Sequence, residues 1–87
     1  IYKNIIIGVL IMTKRKVFNE VFERVCKDNF GIIDIGSMGL GKWQLVYNHR
    51  KYYINNEDIL PNYDNIIDIN VEELEELVKQ KVGALIA

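Results

Sequence analysis

The sequence predicts a small α+β domain: a three- to five-stranded, mainly antiparallel sheet packed with two helices, in the order β-α-β-β-β-(β)-α. Three observations carry this. Apolar residues recur at helical spacing over residues 13–29 and again over 70–82, and between these stretches the period falls to two. The chain's 87 residues, 49% apolar and 26% charged, are enough for one core without disulfide or metal staples. Residues 1–87 are therefore read as a single domain.

Residues 1–12, "IYKNIIIGVLIM", are rich in β-branched side chains and read as a buried strand or as an extension foreign to the native protein. The apolar run from Ile5 to Met12 is far shorter than the roughly 20 residues that a spanning helix needs. The main basic cluster follows that run, whereas a secretory signal places its charges first. No membrane span is expected, and the edge of an exposed N-terminal strand could pair two copies of the chain.

Val17, Phe18, Val21, Phe22 and Val25 then form an apolar stripe, with Asn19, Glu20, Glu23 and Arg24 opposite. This is an amphipathic helix. Thr13 is its expected N-cap, which would crowd Lys14, Arg15 and Lys16 onto the positive end of the helix dipole. Next, "FGIIDI" reads as a strand, "GSMGLG" as a connection, "KWQLVY" as a second strand, "NHRK" as a turn and "YYI" as a third. Trp43, Leu45 and Tyr47 would share one face of the sheet. "NNEDILPNYDN" reads as a loop, and "IIDI" at 66–69 as a further short strand. Asn70 with Glu73 resembles a capping box that opens the last helix, whose stripe is Val71, Leu74, Leu77, Val78 and Val82. Glu75 and Lys79 are spaced as an i,i+4 pair, and Gly83 stands where a helix would stop.

From Gly36 to Lys42 the chain spells G-x-x-x-x-G-K, the outline of a phosphate-binding loop. That loop needs a magnesium-binding hydroxyl after the lysine and a helix springing from it. Trp43 supplies no such ligand and "KWQLVYN" alternates like a strand, so the glycines are read as a hairpin. Asp34 and Asp68 would approach only if the two "IIDI" strands were neighbours, and solvent-facing roles are the expectation for both. Cys26 is expected to pack as a small hydrophobe and His49 to sit in a turn. One cysteine and one histidine exclude a zinc site of the usual Cys/His kind and make no demand for an oxidising compartment, so the expected setting is cytoplasmic. No catalytic residues and no cofactor are assigned.

The formal net charge is only −1, but it is unevenly spread. Lys14, Arg15 and Lys16 lie in the first third, whereas acids dominate after Asn56. The first functional reading is a non-enzymatic protein-binding module that engages a basic partner surface through Glu57, Asp58, Asp64, Glu72, Glu73, Glu75 and Glu76. In general type it resembles the small inhibitors and regulators encoded by phages and mobile elements. The alternative is a nucleic-acid-binding domain using Lys14, Arg15, Lys16, Lys42, Trp43, Arg50 and Lys51, a mixture of cations and an aromatic suited to phosphates and bases. The order helix, three strands, helix also resembles the double-stranded RNA-binding domain. That family carries a basic stretch at the start of its last helix, where this chain has "VEELEEL", whose glutamates would repel phosphates. No binding residue is carried over from it.

Overall fold

A computed structural model describes residues 2–63 and 70–87. The chain runs α1 (Tyr2–Phe30), β1 (Ile35–Gly39), β2 (Lys42–Tyr47), β3 (Arg50–Asn55), α2 (Asn56–Ile59) and α3 (Val71–Ile86). The three strands form one antiparallel sheet in the order β1-β2-β3. The domain is α+β, as its periodicities predict.

The N-terminal strand is replaced by helix. Tyr2–Met12 continues upstream from the amphipathic segment as part of one 29-residue helix. β-branched residues cost a helix only a few tenths of a kcal/mol each, and extending a helix that is already nucleated satisfies backbone groups internally, which a strand without a partner cannot do. Thr13 accordingly lies mid-helix, not at a cap. Lys14, Arg15 and Lys16 are thus removed from the dipole end, and the expected crowding of like charge there does not arise. The long axis of the molecule, 49 Å against 25 and 19 Å, reflects this helix.

Helix α1 stops at a glycine. Gly31 takes φ +66° and its N–H donates to the Lys27 carbonyl, the single bond of an αL C-cap, while the Ile32 N–H reaches back to the carbonyl of Cys26. Phe30 and Gly31 therefore finish a helix instead of starting a strand, and β1 begins later than expected, at Ile35. The segment expected as a connection supplies most of that strand. Only Leu40 and Gly41, at φ +55° and +72°, make the turn, both in the left-handed region that two-residue hairpins favour. The register slips between Ser37 and Gly39, a bulge that bends the ribbon. The second turn is narrower than "NHRK": Asn48 and His49 form it, at φ +54° and +66°, and Arg50 already pairs with Tyr47.

Both long helices lie on one face of the sheet. The Arg24 guanidinium is hydrogen-bonded to the Glu75 carboxylate, and farther along both helices Phe30 approaches Gly83, so α1 and α3 run side by side in the same direction. Phe18, Phe22 and Cys26 from α1, Trp43 and Leu45 from β2, and Leu74, Val78 and Val82 from α3 share the core with Ile32, Ile54 and Ile59. Val71, an expected member of the buried stripe, stands exposed at the first helical position. Asn70 caps α3 as expected, its Oδ1 accepting from the N–H groups of Glu72 and Glu73 at 2.9 and 3.2 Å. Gly83 does not end the helix, which continues to Ile86; its bare Cα faces the Phe30 ring. The expected loop after Asn55 contains one helical turn, α2, opened by a bond from the Asn55 N–H to Asp58 Oδ2 at 2.9 Å. The "IIDI" strand at 66–69 and Asp68 lie outside the described residues. Among the described residues no helix is long and apolar enough to cross a membrane.

Candidate functional site

The acidic residues divide into those with structural duties and those facing solvent. Glu72, Glu73 and Glu76 are exposed on α3, the first two in its opening turn, where carboxylates suit the positive end of the dipole. Together with Leu77 and Gln80 they line a shallow groove of about 430 Å³. Glu75 points the other way, into its bond with Arg24. The expected Glu75–Lys79 pair is therefore not made, and the Lys79 ammonium instead lies 3.5 Å from Glu76. Glu57 and Asp58 are exposed on α2, an element that packs against α3. Asp64 lies outside the described residues.

The basic set does not form one surface. Lys14, Arg15 and Lys16 belong to α1, in the helical layer. The guanidinium of Arg15 is 5.3 Å from the centre of the Tyr63 ring, within cation–π range. Lys42 and Lys51 point to the opposite side of the sheet, since their neighbours Trp43 and Tyr52 face the helices. Arg50, paired with Tyr47, falls on the helical side at the far end of β3. Trp43 itself must be withdrawn from any nucleic-acid surface. It is 5% exposed, its ring centre lies 4.8 Å from that of Phe22, and its Nε1–H donates to Asn56 Oδ1 at 2.5 Å. An indole buried against two helices cannot stack on a base.

That bond also explains "GSMGLGKW". Lys42 opens a strand, not a helix, and the preceding glycines bend the hairpin. Asn56 is 4% exposed and ties the ribbon down: its side chain holds Trp43, and its N–H donates to the Gly41 carbonyl at 2.8 Å. A Cβ on Gly41 would stand 3.3 Å from Asn56 Nδ2, a tight contact added to the positive φ that already favours glycine. Beside it, Arg15, Leu40, Gly41, Asn55, Asn56, Glu57 and Tyr63 line a cavity of about 550 Å³ with both polar and apolar walls. Sequence reasoning missed Asn56, and the only signal was an asparagine at the boundary between a strand and a loop.

Cys26 is fully buried. Burial, with a smaller contribution from the charge of Glu23, pushes its thiol up to about 12. It stays protonated at neutral pH and is no nucleophile there. Because the folded value exceeds the unfolded one, the neutral thiol supports folding below pH about 9 and that support is lost as pH climbs towards 12. His49 lies in the exposed second turn. Among the described residues no three His, Cys, Asp or Glu side chains converge as a metal ion would require.

No family model, curated protein or solved structure matches this chain. The likeness to the double-stranded RNA-binding domain stays a likeness of element order.

Proposed function

We propose that this domain is a non-enzymatic protein-binding module whose α3 face engages a basic partner surface, in the manner of a small inhibitor or regulator. The observation that supports it most is the grouping of Glu72, Glu73 and Glu76 around Leu77 and Gln80 in one exposed groove. Carboxylates at the rim steer and orient a cationic partner, and the half-buried leucine between them offers an apolar contact that charge alone would lack. Glu57 and Asp58 on the adjoining α2 extend the acidic field, whereas Glu75 is committed to Arg24 and contributes to the fold.

The test is charge reversal. In the variant Glu72→Lys/Glu73→Lys/Glu76→Lys, the unfavourable dipole interactions at 72 and 73 cost about 0.3–1 kcal/mol per residue, so the domain should still melt cooperatively, at a midpoint lowered by about 2–16 °C. Immobilised wild-type domain should retain a partner from host extract in a salt-sensitive manner, and the folded variant should not. Undiminished capture by the variant would remove the acidic face from the mechanism.

A further inference from the structure

We infer that the open face of the sheet, on the side away from the helices, is a platform for single-stranded nucleic acid. This surface is separate from the acidic groove and the inference does not depend on it. Because Trp43, Leu45 and Ile54 face the core, strand alternation turns Lys42, Gln44, Lys51 and Tyr53 outward. Tyr53 is 46% exposed, a large ring on a face that no described helix covers.

The row through this ring ends in open space. Gly36 pairs with Gln44, which pairs with Tyr53, and a Cβ built on Gly36 meets nothing within 4 Å. A base stacked on Tyr53 would have open space over Gly36 and the Gln44 amide within reach of its edge. Cations flank the ring. Lys42 Nζ lies over one face of the ring, 5.2 Å from its centre, which leaves the other face for a base, and Lys51 is two residues back along β3. By register the two lysines sit four strand positions apart, about 13 Å, so they can meet successive parts of a phosphate backbone while the ring holds a base between them. Asp34, just before β1, lies opposite Val46, to whose N–H its carbonyl is bonded, so its carboxylate stands in the Lys51 row at the β1 edge of this face, outside the span between the two lysines. An acidic peptide, the competing occupant, would meet the two cations but carries no obligatory flat group to stack on the exposed ring beside Gly36.

The experiment titrates the full chain against labelled oligothymidylate and oligouridylate at low salt, about 50 mM, with fluorescence anisotropy as readout. Binding is expected in at least one arm, and the difference between the arms reports which sugar is accepted. Tyr53→Ala should weaken it about 5- to 150-fold, and Tyr53→Phe should restore it. Tyr53 faces away from the core, so both variants should keep the wild-type circular dichroism. Lys42→Ala and Lys51→Ala should each reduce the slope of log K against log salt by about 0.7. No binding to either oligonucleotide, indifference to Tyr53→Ala, or equal and equally Tyr53-dependent binding of polyglutamate would overturn the inference. The glutamate reversals on α3 should leave the Tyr53 dependence unchanged, which separates this outcome from that of the acidic groove.

Discussion

Phe22→Ala should destabilise the domain by about 3–5 kcal/mol, the usual result of removing a fully buried aromatic side chain. Phe22 is fully buried at the contact between helix and sheet. Its ring centre lies 6.5 Å from that of Phe18 along α1 and 4.8 Å from that of Trp43 on β2. The void would open between elements that each hold the others in place, so little collapse can fill it. A domain of this size typically has only about 5–15 kcal/mol in total, and each kcal/mol shifts the melting temperature by about 4–8 °C. Thermal denaturation followed by circular dichroism should show a fall of more than ten degrees or no folded baseline. A loss below about 1 kcal/mol would mean that this contact is not at the centre of the fold.

Trp43→Phe should cost about 1–3 kcal/mol, although it preserves most of the buried ring. Most of the loss comes from Asn56 Oδ1, left inside the protein without the indole N–H that satisfies it. If that is the cause, Asn56→Ala made together with Trp43→Phe should cost less than the sum of the two single changes, because no buried acceptor is then stranded. Chemical denaturation of the four proteins measures the coupling. Strict additivity would place the loss in packing alone.

The parts of the fold that are legible in the sequence are those where local and tertiary preferences agree. Residues 42–47 alternate cleanly, and β2 occupies them residue for residue. Asn70 is a good cap followed by an apolar stripe, and α3 begins there. Reading fails where these preferences diverge. The β-branched run before Met12 favours a strand locally, yet it continues a helix already formed. "FGIIDI" looks extended, but Gly31 is claimed by the helix end and β1 shifts into the glycines beyond it. Leu40 stands at positive φ, a conformation that leucine does not advertise. For the candidate surfaces, the sequence marks out the charged residues but not their directions. Glu75 differs from Glu76 only by the turn of a helix that sends it to Arg24, and Trp43 differs from Tyr53 only by the side of the sheet. Which of two aromatic residues faces water is decided by where the helices pack, and no short motif encodes that.

Trp43 faces the helices from a strand, and Gly36–Lys42 is a hairpin and not an anion-gripping loop. Trp43 is the single tryptophan, so its fluorescence reports this position alone. The folded protein should emit at short wavelength, resist iodide quenching, and shift to the red only when the domain unfolds. Emission from the native protein at the wavelength of free indole in water, quenched by iodide as freely as in denaturant, would contradict it.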